Sequence, residues 1–407
     1  MRALLRPEIL DTRDGSEAEA ILRSCVHCGF CNATCPTYQL LGDERDGPRG
    51  RIYQIKSLLE GEAISAQTAG HLDRCLGCRA CETTCPSGVR YGRLLDYARP
   101  LVDAAVPRSA PERARRWLLR RLIPSGLFPV LLALGQLLRP LLPGAVARLV
   151  PARRPAGVWP RRVHATRYVA LEGCVQEAAR PSINAAAARV LDRGGISLLK
   201  GAGGGCCGAL AYHLGAHDEA RDCARRNIDA WWPQLRDGAE GIFSAASGCT
   251  PMLKEYGELL RDDPAYAERA RAIAARVRDA TELVTPVEAS VAGGQAPTVA
   301  VQSPCSLQHG LRGGGRMEAA LSAAGCAVQT PVDSHLCCGS AGAYSILQPT
   351  LAGQLLERKL EALMANGPCF IATSNIGCML HLEKRAEVPV RHWLEIVDEL
   401  QSGAGNP

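Results

Sequence analysis

The sequence predicts an α+β protein, with a mainly helical N-terminal domain followed by two duplicated α/β domains. Three observations carry that expectation. Two four-cysteine runs of identical spacing lie at Cys25–Cys35 and Cys75–Cys85. Four cysteine positions recur in order across the second half, at Cys174, Cys206, Cys207 and Cys249 and again at Cys305, Cys337, Cys338 and Cys378. That second half also alternates short apolar runs with helical periodicity, which favours parallel strands in layers. The expected parts are 1–110, a connector at 111–162, repeats at 163–285 and 299–407, and a linker at 286–298.

In the first part, Ser16 with Glu19 reads as a capping box ahead of a short helix. Ile52, Ile55, Leu58 and Leu59 give Arg51–Glu60 a helical stripe that ends at Gly61. The connector carries five arginines between Arg113 and Arg121, then an apolar stretch from Leu122 to Leu138. Pro124, Gly126, Pro129 and Gly135 interrupt that stretch, so it does not read as a membrane span. It reads either as a helical connector on its own domains or as an interfacial or subunit-docking segment with a basic border. Beyond it, Tyr168–Leu171, Ile196–Leu199, Ile242–Ala245, Val299–Val301 and Phe370–Ala372 read as strands. Asp218–Trp232, Ala265–Leu283, Met317–Ala324 and Leu351–Ala365 read as helices.

The duplication is exact at three positions. Between Cys174 and Cys206-Cys207-Gly208 lie 31 residues, and between Cys305 and Cys337-Cys338-Gly339 another 31. Each repeat then closes on Gly-Cys, at Gly248-Cys249 and Gly377-Cys378.

Composition narrows the class. With 47% hydrophobic and 22% charged residues over 407 positions, most of the chain is not disordered. A net charge of +6 is too mild for a nucleic-acid coat. The first residues show no secretory signal, so 19 cysteines point to metal or redox chemistry in a cytosol-facing protein.

Cys25-x2-Cys28-x2-Cys31-x3-Cys35-Pro36 and Cys75-x2-Cys78-x2-Cys81-x3-Cys85-Pro86 have the spacing of the bacterial ferredoxin run. There three thiolates wrap one [4Fe–4S] cluster and the fourth serves the other. One cluster is then expected on Cys25, Cys28, Cys31 and Cys85, and a second on Cys75, Cys78, Cys81 and Cys35. Zinc sites usually use separated pairs, so the run favours iron. Such a pair carries electrons singly, and no catalytic residue is assigned. Lys56, Arg74 and Arg79 read as a solvated face. The loop Gly201–Cys206 lacks the last glycine of a dinucleotide fingerprint. Gly313–Gly315 reads as a turn, and Trp231-Trp232 as a core or interface pair. His213, His217, His335 and His381 read as surface or capping residues, and Cys223, Cys326 and Cys369 as packing.

The second-half pattern resembles the cysteine-rich "CCG" domain of heterodisulfide reductases and of the iron–sulfur subunits of flavin-linked dehydrogenases. Reductase members end in C-x-x-C and can hold a non-cubane cluster. Here Cys249-Thr-Pro-Met252 and Cys378-Met-Leu-His381 lack the closing cysteine. A further cluster, another metal or structural thiols therefore stay open for the two repeat sets.

The segments Leu41–Tyr53 and His71–Val89 resemble the iron–sulfur subunits of glycolate oxidases. The resemblance implies an electron-transfer subunit that takes electrons from a flavoprotein partner carrying FAD and passes them to a quinone or other acceptor. The organic oxidation, glycolate to glyoxylate, then sits on the partner. It also implies a cytoplasmic protein, peripheral on the inner face of the membrane, with no nucleic-acid partner. Lactate and glycerol-3-phosphate dehydrogenase subunits share the architecture, and a reductase acting through its CCG repeats is the alternative of a different class.

Overall fold

The computed structural model describes residues 1–147, 150–285 and 296–402. Within the first part, helix Arg13–Ser24 starts earlier than the capping box at Ser16 and Glu19 suggests. Thr12 is the cap, its Oγ1 accepting from Gly15 N at 3.0 Å. Ser16 lies inside the helix and donates to Leu10 O, while Glu19 binds Arg23. The reason is local: Gly15 packs so closely on Ile9 O that only a residue without Cβ fits, which fixes the first turn there. Helix Pro48–Glu60 buries Ile52, Ile55, Leu58 and Leu59 and stops at Gly61, where φ is 96°. Its apolar face packs with Leu22, Leu72, Leu94 and Leu95 in the core of this part.

The second half forms two four-stranded parallel sheets. The first holds β1 (Thr166–Ala170), β2 (Ile196–Lys200), β3 (Gly241–Ser244) and β4 (Val277–Asp279) in the order β2-β1-β3-β4. The other holds β5 (Thr298–Gln302), β6 (Ala327–Gln329), β7 (Phe370–Thr373) and β8 (Val390–His392) in the order β6-β5-β7-β8. All five expected strands are present. The expected helix Ala265–Leu283 is corrected to helix Ala267–Ala275, strand β4 and helix Ala280–Leu283. Val277 is fully buried and pairs with Ile242, so sheet pairing overrides a helical pattern there.

One core runs through both repeats, from Tyr168 and Phe243 to Ile371 and Trp393. Helix Ser182–Arg193 of the first repeat lies against helix Trp393–Gln401 of the second. Arg189 and Arg193 both bind Asp398, at 2.6 and 2.8 Å, and Ser182 binds Glu395. The linker expectation at 286–298 falls mostly on 286–295, outside the described residues.

The connector forms helices Ala110–Leu122 and Leu127–Leu138. No single helix among the described residues is long and apolar enough to cross a membrane. This pair, with its extension to Leu141, bends by 94°. Arg108 and Arg116 tie its start to Asp73. Helix Leu127–Leu138 buries no residue.

Candidate electron-transfer centre

Each cysteine run opens a loop that turns through a left-handed residue, His27 and Gly29 in the first and Gly77 and Arg79 in the second. Such turns aim successive thiols inward. Cys25, Cys28, Cys31 and Cys85 line one cavity, together with Ile52, Val89 and Tyr91. Cys35, Cys75, Cys78 and Cys81 line another, beside Arg51 and Tyr91, and Cys81 also borders the first. The fourth cysteine of each run thus reaches the cavity built by the other run. Short helices Phe30–Ala33 and Ala80–Thr84 cross between them. Thr34 donates to Ala80 O at 3.3 Å, and Thr84 donates to Thr34 Oγ1 at 3.1 Å.

The donor chemistry fits a [4Fe–4S] cluster in each cavity. Burial pushes the Cys31 thiol up to about 11 and raises Cys78 and Cys81 well above the ordinary range. A thiolate so desolvated needs a cation to compensate it, and bound iron supplies one.

The charges around the second cavity are ordered. Arg51, expected only as part of a helix, is fully buried. It donates to His71 O at 2.8 Å and Thr37 Oγ1 at 3.0 Å and pairs with Asp46. Thr37 Oγ1 in turn lies 3.3 Å from Cys35 Sγ. Arg74, read from sequence as solvated, also binds Asp46, at 2.9 Å. Arg79 reaches Glu255 of the first repeat at 2.9 Å. Lys56 pairs with Glu60.

In the repeats the cysteines follow the carboxyl ends of β1, β2, β3 and of β5, β6, β7. In open parallel sheets the crevice lies there, at the point where strand order reverses. Cys206 contacts Cys174 and Cys207, and Cys207 contacts Cys249. In the second repeat Cys337 contacts Cys305, 4.0 Å away, and Cys338, which contacts Cys378. Both quartets are thus drawn together.

The glycine after each Cys-Cys pair has φ 89°. A Cβ there would crowd a helix carbonyl, lying 3.1 Å from Ala220 O at position 208 and 2.7 Å from Ala352 O at position 339. The loops that carry Cys249 and Cys378 meet across the repeat interface, where Gly248 N donates to Asn375 Oδ1 and Asn375 Nδ2 donates to Cys378 Sγ at 3.3 Å.

Besides Arg51, two residues escaped the sequence reading. Cys223, expected to pack, contacts Cys206, and that contact together with Arg226 draws its thiol down to about 7. The second repeat offers Gln354 at the matching offset, so the repeat pattern gave no signal for it. His309 bridges Thr83 Oγ1 and His335 O, at 2.9 and 3.0 Å. Of the other leftover cysteines, Cys326 is buried as expected, whereas Cys369 is exposed beside Thr298. Trp231 is a core residue, with Gly201 and Gly204 packed on its indole. The close approach accounts for those glycines without a dinucleotide. His213 binds Asp96, His217 stacks on Tyr212, and His381 lies buried against Ala352 O.

Comparison with known proteins matches the 4Fe-4S dicluster domain family over residues 21–89. The cysteine-rich CCG domain family matches residues 168–254 and 299–383. The chain is 48% identical over 403 residues to the glycolate oxidase iron–sulfur subunit of Escherichia coli K12, covering 98% of this chain and 99% of that protein. It is 29% identical to the probable glycolate oxidase iron–sulfur subunit of Bacillus subtilis 168, over 90% of this chain and 89% of that one. Lactate utilization protein A of an Exiguobacterium strain is 25% identical, over 56% of this chain and 94% of that protein.

Proposed function

The chain belongs to the family of glycolate oxidase iron–sulfur subunits, and from that premise we propose that it is the electron-carrying subunit of a complex that oxidises glycolate to glyoxylate. The observation that carries this reading is the crossing of the two runs, which gathers eight thiols into two adjacent cavities. Cys25, Cys28, Cys31 and Cys85 would hold one [4Fe–4S] cluster, and Cys35, Cys75, Cys78 and Cys81 the other. Such clusters supply one-electron steps at low energetic cost.

Removing two electrons from a 2-hydroxy acid needs an acceptor that takes them as a pair and releases them singly. A flavin does this, and FAD on a partner subunit is the fitting donor. This chain's part is to shield the thiols other than Cys28 from water, to fix the cavities side by side through Thr34, Ala80 and Thr84, and to bind the partner.

The repeats read as the onward side. Cys78 sits within electrostatic reach of Cys305 and Cys337. The final acceptor is then a quinone or another carrier beyond the repeats. The bent connector is read as the peripheral contact with the membrane where a quinone resides.

The test is EPR of the purified complex, anaerobically, before and after glycolate. Two reduced-cluster signals appearing with glycolate are expected. The chain alone should hold about eight irons if only the run cysteines are loaded, at four per cluster, and should not oxidise glycolate. Glycolate oxidation by the isolated chain, or disulfide reduction without a flavin, defeats the reading.

A further inference from the structure

We propose that the electron-donating partner docks on the face formed by Val26, Phe30 and Tyr53 around Cys28, so that electrons enter at the first cysteine group and leave by the second. This rests on the cluster assignment and the flavoprotein donor proposed above.

Among the eight run cysteines, Cys28 is the exposed one. Val26 and Phe30 flank it in sequence and are 67% and 61% exposed. Large apolar side chains held open beside a cofactor ligand mark a surface that another protein covers. Arg49 donates to His27 O at 3.2 Å, which fastens helix Pro48–Glu60 to this loop. Tyr53 stands one turn beyond Arg49 and is 55% exposed, so the helix extends the patch. The pairs Arg23–Glu19 and Arg49–Glu44 add charged groups beside the loop, and an apolar centre with a polar rim is the anatomy of a protein interface.

The second group is covered instead. Thr83 binds His309 and Arg79 binds Glu255, and Cys78 lies within electrostatic reach of Cys305 and Cys337. A donor held on another chain therefore approaches the first group more closely than the second, and tunnelling falls steeply with distance.

The charges favour the same direction. Beside Cys35 and Cys75, the fully buried Arg51 and its neighbour Arg74 share the single carboxylate of Asp46, and the net positive charge left there stabilises an added electron where little water screens it. Arg49, which borders the first cavity, is a third exposed and already tied to Glu44.

The step balances simply. The reduced flavin gives up two electrons one at a time across this face, its protons leave to solvent, and no bond forms or breaks on this chain.

The experiment uses the complex with Phe30→Asp and Tyr53→Asp together, freeze-quenched after glycolate and read by EPR. Cluster reduction at least tenfold slower than wild type is expected, or loss of the partner on gel filtration, with iron content and dithionite reduction unchanged. Reduction by glycolate at the wild-type rate overturns the docking face. If the double variant loses iron, Phe30→Asp alone gives the same readouts, because Phe30 does not line the first cavity. A wild-type complex that glycolate does not reduce overturns the proposed function instead. Docking is then read from partner retention, which a correct face loses on substitution and a wrong one keeps.

Discussion

Thr83 Oγ1 stands 2.9 Å from His309 Nδ1, and the other ring nitrogen of His309 lies 3.0 Å from His335 O. Thr83 belongs to the helix that carries Cys81, while His309 lies in the turn after Cys305. One imidazole thus ties the second cysteine run to the second repeat. Burial lowers the affinity of His309 for a proton, which keeps the ring neutral. Nε2–H then donates to the carbonyl, and Nδ1 is left as an acceptor facing the Thr83 hydroxyl, which also lies within donating distance of Ala80 O, at 2.9 Å.

Replacing His309 with Leu should therefore leave His335 O without this partner, while the Thr83 hydroxyl keeps Ala80 O. The expected cost is about 1–2 kcal/mol, read as a lower denaturation midpoint of the holoprotein. The EPR signal tied to Cys75, Cys78 and Cys81 should shift, and that tied to Cys25, Cys28 and Cys31 should not. Equal shifts in both signals would remove His309 as a specific link.

The crossed arrangement makes its own prediction. Cys35→Ser should alter the same EPR signal as Cys75→Ser, although Cys35 lies in the other run. Cys85→Ser should act with Cys28→Ser. If each fourth cysteine instead tracks its own run, the crossing is wrong.

The ligand spacing was legible in the sequence because a metal cluster demands it locally. The two sheets were legible through the duplication of Cys-Cys-Gly and the apolar cores of β1, β2, β3, β5 and β7. Strands β4, β6 and β8 were not, because three residues are too few to show alternation, and Val277 gains its strand only by pairing with Ile242. Arg51 illustrates the same boundary at the site. It reads as one more helical arginine until Thr37, Asp46 and His71 close over it from separate segments.

The glycine after each Cys-Cys pair is a backbone requirement. Gly339→Ala places a Cβ against Ala352 O at a residue with φ 89°. A loss of about 1–3 kcal/mol is expected, measured by chemical denaturation. Gly208→Ala should cost less, because its nearest contact is 3.1 Å rather than 2.7 Å. The reverse order would show that the helix beside Gly339 gives way.

Acid should destabilise the repeats. Burial holds the His381 and His392 imidazoles down at about 4, against about 6.5 in an unfolded chain. The unfolded state takes up these protons first, so the stability is fully present above about pH 6.5 and is lost as pH falls towards 4. For His381 the full loss is about 3 kcal/mol. Urea midpoints should fall between pH 7.5 and 5, and His381→Gln should flatten that slope. An unchanged slope in the variant would show that its titration does not reach the folding equilibrium.

The connector carries the last prediction. Among residues 111–162 there are eleven arginines and a single acid, Glu112, whereas the rest of the chain is net acidic. Along helix Leu127–Leu138, Val130, Leu131, Leu134 and Leu137 stay exposed, the last at 72%. Their spacing of three and four residues puts them on one stripe. An apolar stripe with a basic border suits the interface of an anionic bilayer, where burial of leucine and attraction to lipid phosphate add. The purified chain should float with vesicles containing phosphatidylglycerol and far less with phosphatidylcholine alone. Salt should weaken the binding. Leu134→Asp with Leu137→Asp should abolish it without changing iron content, since neither side chain is in the core. Vesicle binding that survives both substitutions, together with loss of the flavoprotein partner from the complex, would assign this stripe to a subunit contact and not to the membrane.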